Sequence, residues 1–536
     1  MSSSAGERLF LSGNEAVARA AADADVALGT GYPGTPSSEI LENFDECGGR
    51  ARWAPNEKVA LEVGIGAAFG RTRVLATMKH VGLNVAADPF FSAAYSGVDG
   101  ALVVACADEP GMSSSQSEQD NRHYAEAAGV PMLEPSDSQE AYDYMVRAIK
   151  VSEEWNIPVM LRLTTRICHS RTVVQTRSVA GPVLEPGFGR NIQGRVMIPA
   201  HARPAHRRLR AKLKDVKRRN ESSDLHRVDD GDREPAIITS GVSYMHAREA
   251  APDSPILKLG MTHPLPMETI REFVEQHERC VVIEENDPYL ATHIRAAGME
   301  VEDKPEPFRF GELNVQRVRA ILDGQTEEEE DDTPAGRPPQ LCPGCPHSST
   351  FEVLDELDCI VTGDIGCYTL GALEPHRAMD TQLCMGASIG VGLGLRQVLP
   401  EDEARKVVSV IGDSTFVHSG LTGVVEMVYN TPPTGHIIIV VDNGTTAMTG
   451  LQEHPATGKL LDGTATDELS IEGAAEAMGV SNVGVVDPLK ETEELRGELE
   501  EAMESDETTL LVARRSCVLA QKKARKRERE EAQANE

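Results

Sequence analysis

The chain has 536 residues, 53 Lys and Arg against 85 Asp and Glu, a formal charge of −32 and ten cysteines. That length allows three or four separate cores, and the pervasive acidity argues against nucleic acid as the main partner, because phosphate would be repelled almost everywhere. The start, MSSSAGERLF, has no apolar signal core and no run reaches the ~18 apolar residues of a membrane span, so a cytoplasmic, soluble protein with reduced thiols is expected.

Only 14 of the 53 cations are lysine, a balance that resembles proteins kept in solution by concentrated salt. Taken in chain order, β-branched runs bounded by turns recur: DVALGTGYPGTP, TRVLATM, GALVVACAD, IPVMLRLTT, AIITSGVS, RCVVIEEN, CIVTGDIG, KVVSVIGDS, HIIIVVDN and TLLVARRS. Between them NEAVARAAADA, SQEAYDYMVRAIKVSEEW and METIREFVEQHE repeat at helical spacing. Strands alternating with helices predict an α/β chain with largely parallel sheets. A basic then polar stretch at 201–234 and the charge run QTEEEEDDTPAGRPPQ at 325–340 are expected as connectors. They divide the chain into an α/β domain at 1–195, a linker at 196–234, a small α/β domain at 235–324, an acidic linker at 325–340, an α/β domain at 341–520 and a charged tail at 521–536 that is expected to fray. The basic stretch reads either as an anion-binding helix or, more simply, as a linker helix packing through Leu209, Leu213 and Val216.

The last large domain carries the sharpest motif. The strand KVVSVI ends in Gly412-Asp413-Ser414, and the next 27 residues include a second strand, HIIIVV, that leads through Asp442 into Asn443. This spacing resembles the thiamine diphosphate motif, in which a carboxylate and an amide oxygen at the ends of neighbouring parallel strands share one Mg²⁺ that clamps the diphosphate. The resemblance makes Asp413, Asn443 and the Thr445 carbonyl metal ligands. Gly412 and Ser414 would lie along the cofactor; Ser414 departs from the motif, which usually has a second Gly there. An Asp at a strand end can also be a plain helix cap.

The segments YPGTPSSEILE, NEKVALEVGIGAAFG, TMKHVGLNVAADP, LCPGCPHSSTFEVL, GDIGCYTLGALEP and CMGASIGVGLGL, in that order, resemble the large subunits of indolepyruvate:ferredoxin oxidoreductases, within the 2-oxoacid:ferredoxin oxidoreductases, from about residue 8 to 520. The resemblance implies two thiamine-diphosphate-binding-type parallel-sheet domains flanking a smaller α/β domain, and an enzyme that cleaves an arylpyruvate to CO₂ and aryl-acetyl-CoA while passing electrons to ferredoxin. It implies a smaller beta subunit, a heterotetramer and coenzyme A as co-substrate. Glu57 is then the acid that hydrogen-bonds the cofactor's aminopyrimidine, favoured over Glu62 because the glycine of TMKHVG follows it by 25 residues as in relatives. Gly386 joins the cofactor residues, and Thr35 of YPGTP matches a position that contacts the 2-oxoacid. Lys79, His80 and Arg122 are candidates for the substrate carboxylate, arginine being the best matched to two oxygens. Each also reads as an ordinary cap, turn residue or surface charge.

The Cys-x-x-Cys of LCPGCPHS opens this domain. Its pair, Cys342 and Cys345, together with Cys367 and Cys517, follows the order of the four ligands of a proximal iron–sulfur cluster in the wider family. A structural zinc or simple core thiols are the alternatives, and Cys47, Cys106, Cys168, Cys280, Cys359 and Cys384 are expected as buried small side chains. The family's ferredoxin-like segment with two further cysteine runs is not seen after residue 520, so electrons are expected to leave through the proximal centre to a separate ferredoxin. A non-oxidative thiamine-dependent decarboxylase and a non-catalytic scaffold subunit are the rival readings.

Overall fold

The computed structural model describes residues 6–177, 179, 185–327 and 340–534, and it falls into two compact units, Met1–Asp332 and Thr333–Glu536. Of the acidic connector expected at 325–340, residues 328–339 lie outside the described residues. Among the described residues no helix is long and apolar enough to cross a membrane.

The first unit begins with β1 (Arg8–Ser12), β2 (Leu28–Gly31), β3 (Ala51–Trp53), β4 (Arg73–Lys79), β5 (Ala101–Asp108), β6 (Met132–Leu133), β7 (Val159–Thr164) and β8 (Arg171–Gln175). It continues with β9 (Arg227–Asp229), β10 (Ala236–Ser240), β11 (Ile256–Leu259), β12 (Met261–His263) and β13 (Cys280–Ile283). Seven of these form one sheet in the order β12-β6-β7-β5-β4-β2-β3, parallel throughout except for β12. All eight residues of β5 are buried, as a central strand covered on both faces requires, and this is why ALVVACA reads as a continuous apolar run. A second sheet, β13-β10-β11-β9, belongs to the segment expected as a small domain. After the single residue Gly260 that follows β11, the same segment sends β12 across to pair with β6, so 235–324 completes the larger sheet as well as building its own.

The basic stretch is a 22-residue helix, Pro199–Asn220, with Ala205, Leu209, Leu213 and Val216 buried at spacings of four, four and three. Such a stripe docks one face and leaves the cations on the other. His206 stacks on the Tyr95 ring at 5.4 Å and the Lys212 ammonium donates to the Asn156 carbonyl at 2.9 Å. The segment is therefore packed surface structure. The tail is helical from Val518 to Ala534, because Lys, Arg, Glu, Gln and Ala are strong helix formers even without an apolar face.

The second unit holds β14 (Ile360–Thr362), β15 (Val407–Gly412), β16 (His436–Asp442), β17 (Asn482–Val486) and β18 (Thr508–Arg514), all parallel, in the order β14-β15-β16-β18-β17. Alternate residues feed two cores: Val408, Val410, Ile437, Ile439 and Leu511 face one way, and Ile411, Ile438, Val440, Leu510 and Val512 the other. Helices on both faces bury the four strands β14, β15, β16 and β18, while the edge strand β17 stays partly exposed. Polar groups then converge where such folds collect them, beyond the C-terminal ends of the strands. The α/β class with parallel sheets expected from the sequence is the class observed.

Candidate active site

Asp413 follows the last residue of β15 and Asn443 the last of β16, and these strands are neighbours. Both side chains are buried. Asp413 Oδ1 accepts from the Ser414 amide at 2.9 Å; Oδ2 accepts from the amides of Gly444 at 2.8 Å and Thr445 at 3.2 Å and from His454 Nε2 at 3.2 Å. Burial alone would raise the Asp413 carboxyl, but His454 and these amides hold it below the usual carboxylate range. Asp442 moves the other way, raised by its burial and by the Asp413 charge beside it. Asn443 Oδ1 accepts from the Thr445 amide at 3.1 Å, and its Nδ2 donates to His347 Nε2 at 3.1 Å. Burial lowers the His347 pKa to about 4, so the ring is neutral and able to accept.

The glycines here are spatial necessities. A Cβ on Gly412 would lie 2.7 Å from the Tyr368 ring. Gly386, at the N-terminus of the helix Ala387–Arg396, has φ +86° and its Cβ would lie 2.5 Å from Ser419 Cβ. Asp364, just past the end of β14, accepts from the amides of Gly386 at 2.8 Å and Ser388 at 3.2 Å and from the Ser388 hydroxyl at 2.9 Å. It fixes the turn that carries Gly386. Ser414 Oγ accepts from the Thr446 hydroxyl at 2.9 Å, and the Thr445 hydroxyl donates to the Gln452 carbonyl at 3.1 Å. A carboxylate and a carboxamide oxygen on adjacent strand ends, with a helix beginning at Asp413, fit a hard divalent ion and a phosphate-bearing ligand.

The four cysteines of the expected ligand set are close enough to influence one another. The Cys367 thiol is pushed up to about 12 by burial and then by the charges Cys345, Cys517 and Cys342 would carry; Cys345 is raised by burial, with Cys342 and Cys517 contributing. The Cys345 amide donates to the Cys342 carbonyl at 2.9 Å, making the tight turn of CPGC, and the Cys517 amide donates to the Asn443 carbonyl at 2.9 Å. Among the described residues no three of these sulfurs lie within 4.8 Å of one another. Of the other six cysteines, Cys106, Cys168 and Cys280 are buried and Cys359 is half-buried. Cys47 and Cys384 correct the expectation: both are exposed, the first capping the helix Ser38–Glu46 and the second in the turn before Gly386.

In the first unit, Glu57 opens the helix Glu57–Phe69 and is 4 % exposed, whereas Glu62, one turn on, is exposed and paired with Lys58. A Cβ on Gly82 would lie 2.5 Å from Glu57 Oε1, so the carboxylate packs directly on that glycine. The Lys79 stem lies against Gly34 of the YPGTP loop, next to Thr35, and its ammonium is 4.0 Å from Glu109. Burial lowers the Lys79 pKa against the pull of Glu109 and Glu57. His80 is fully buried; its Nε2 donates to the Ser117 carbonyl at 2.9 Å and its Nδ1 has no partner among the described residues. The C-terminal ends of β2 and β4 thus bring Thr35, Glu57, Lys79 and His80 to one corner.

Arg122 does not join them as a free cation. It is 0 % exposed, ion-paired to Asp120 and Glu284 at 2.6 Å each, and donates to the carbonyls of Glu285 at 2.7 Å and Asp287 at 2.9 Å. Its fork is spent on carboxylates of this chain, which corrects its reading as a substrate anchor. The same network includes Arg162 with Asp108 and Glu134, and it welds the ends of β5, β7 and β13 together. Sequence reasoning also missed His347, His454 and Asp364. The signals were present: a histidine two residues after the cysteine pair, a His-Pro after the Asn443 loop, and a second Gly-Asp at the end of β14.

Residues 364–513 match the family "Thiamine pyrophosphate enzyme, C-terminal TPP binding domain" and residues 19–185 match "Pyruvate flavodoxin/ferredoxin oxidoreductase, thiamine diP-bdg". The chain is 40 % identical to an indolepyruvate oxidoreductase subunit IorA of Archaeoglobus fulgidus, across 98 % of this chain and 88 % of that one. It is 37 % identical to the IorA subunit of Pyrococcus abyssi, across 96 % and 86 %. A 2-oxoglutarate synthase subunit KorA of Methanothermobacter thermautotrophicus is 26 % identical over 56 % of this chain and 94 % of its own length.

Proposed function

The chain belongs to the IorA family of indolepyruvate oxidoreductase subunits, and from that membership we propose that it is the catalytic chain cleaving indolepyruvate and related arylpyruvates to CO₂ and the aryl-acetyl-CoA. It is an oxidoreductase that binds thiamine diphosphate and decarboxylates a 2-oxoacid oxidatively, with ferredoxin as electron acceptor. The observation that carries the assignment of residues is the pair Asp413 and Asn443, buried side by side at the ends of β15 and β16 with their oxygens already ordered by backbone amides.

In this reading Asp413, the Asn443 side chain and the Thr445 carbonyl hold Mg²⁺. Gly412, Ser414 and Gly386 line the diphosphate, with Asp364 bracing the Gly386 turn. Glu57 hydrogen-bonds the aminopyrimidine through a carboxyl kept from water by Gly82. Thr35, Lys79 and His80 receive the 2-oxoacid, Lys79 meeting its carboxylate, and Cys342, Cys345, Cys367 and Cys517 hold one [4Fe–4S] cluster. Bound thiamine diphosphate supplies the carbon nucleophile and electron sink for cleavage beside the keto group, and the cluster supplies one-electron transfer. A smaller second subunit in a heterotetramer, a separate ferredoxin and coenzyme A complete the proposed system.

Asp413→Ala tests the metal assignment. It is expected to weaken Mg²⁺-dependent thiamine diphosphate binding, measured by calorimetry, by about 100-fold or more, because both the ligand and the acceptor for two amides are lost. Binding within a few-fold of the native chain contradicts the assignment.

A further inference from the structure

Asn443 presents a choice that Asp413 does not: one end of its carboxamide is an oxygen that can bind a cation, and the other is an NH₂ that can only donate. Turned the wrong way, it would aim two hydrogens at the ion. Two neighbours of opposite character stand on either side of it. The Thr445 amide, which can only donate, lies 3.1 Å from Oδ1, and His347 Nε2 lies 3.1 Å from Nδ2. His347 is 3 % exposed, held in the first turn of the helix Pro346–Glu356 with its ring edge-on to Tyr368 at 6.2 Å. Its position follows from the cysteine turn two residues earlier, since Pro346 starts the helix immediately after Cys345. The backbone of Asn443 is held as well, by the Cys517 amide on its carbonyl.

We propose that His347 is a positioning residue for the cofactor metal: by accepting from Nδ2 it fixes the Asn443 carboxamide with its oxygen toward the ion. The inference rests on the reading of Asp413 and Asn443 as metal ligands. It makes the histidine of CPGCPHS part of the metal site through its contact with Asn443, as partners that orient a ligand do elsewhere.

The test is Mn²⁺ binding to the full chain with thiamine diphosphate present, followed by the EPR signal of the free ion, in the native protein and in His347→Leu, His347→Ala and His347→Gln, with thermal melts of the metal-free proteins alongside. The leucine and alanine variants are expected to bind Mn²⁺ about 10- to 100-fold more weakly at near-native melting temperatures. The glutamine variant, whose side-chain oxygen can still accept, is expected within about threefold of native. Native-like binding by leucine and alanine variants overturns the proposal, as does a glutamine variant no better than leucine, or failure of all three to fold. A native chain that holds no Mn²⁺ with thiamine diphosphate instead sinks the ligand assignment itself, and the two failures are told apart by that control.

Discussion

Glu57, proposed as the acid facing the cofactor ring, shows how one glycine can set apart a single carboxylate. Its side chain is buried against Gly82, and Glu62, identical in type and five residues away, is exposed beside Lys58. Glu57→Gln keeps the shape and removes the acid, so turnover of a 2-oxoacid is expected to fall about 10²- to 10⁴-fold with cofactor affinity nearly unchanged, measured by steady-state kinetics and cofactor titration. An unaltered rate would remove Glu57 from the chemistry. A second carboxylate, Glu285, is buried beside Lys304, and burial lifts its pKa to about 7. A raised folded-state pKa means the folded chain keeps a proton the unfolded chain has lost, so this contribution to stability is present below pH ~4.5 and is lost as pH rises through ~7. Glu285→Gln cannot lose a proton there. Relative to native, its stability by denaturant unfolding is expected to improve by roughly 2 kcal/mol between pH 5 and 8; a difference that stays flat across that range counts against the buried charge. Arg122 marks the limit of reading single residues. Its sequence context, SEQDNRHYA, shows a nearby Asp120 but not Glu284, 162 positions away, and only that partner reveals where the cation is spent.

At the scale of elements, strand positions and the convergence of Asp413 and Asn443 on neighbouring strand ends were legible because each leaves a local signature: β-branched runs for β4, β5, β15 and β16, and a fixed spacing between Gly412-Asp413 and Asn443. The four thiols were legible as an ordered set. What was not legible depends on tertiary pairing. The three residues of β12 carry no periodicity, and their partner β6 lies 128 positions earlier. His347 lies in the first turn of the helix Pro346–Glu356 and His454 in an irregular turn, and in neither place does the spacing show an acceptor or donor role. The helix Pro199–Asn220 lies between, since its apolar positions were visible but its docking was not. Leu213, 8 % exposed and resting over Gly129, tests that docking. Leu213→Ala is expected to cost about 2 kcal/mol by chemical denaturation, at the low end for a core leucine because the site is at the surface. A change under ~0.5 kcal/mol would show the helix to be loosely held.

For the whole molecule, the −32 charge sets the conditions under which all of this holds. Repulsion among 85 carboxylates is long-ranged at low ionic strength and collapses when the screening length shrinks to about 3 Å near 1 M salt. The melting temperature is therefore expected to rise steadily from about 0.1 to 2 M KCl, and a fall would show that ion pairs such as Arg73–Glu153 and Arg514–Glu472 outweigh the net repulsion. In the proposed assignment the two units carry different parts of the chemistry, Glu57 with Thr35, Lys79 and His80 in the first and Asp413, Asn443 and the four thiols in the second. The most direct test of their joint function is the product and electron balance of the anaerobically purified complex with indolepyruvate, thiamine diphosphate, Mg²⁺ and coenzyme A. The account predicts one indole-acetyl-CoA and two one-electron-reduced ferredoxins for each CO₂. Release of indole-acetaldehyde with ferredoxin left oxidised would contradict it.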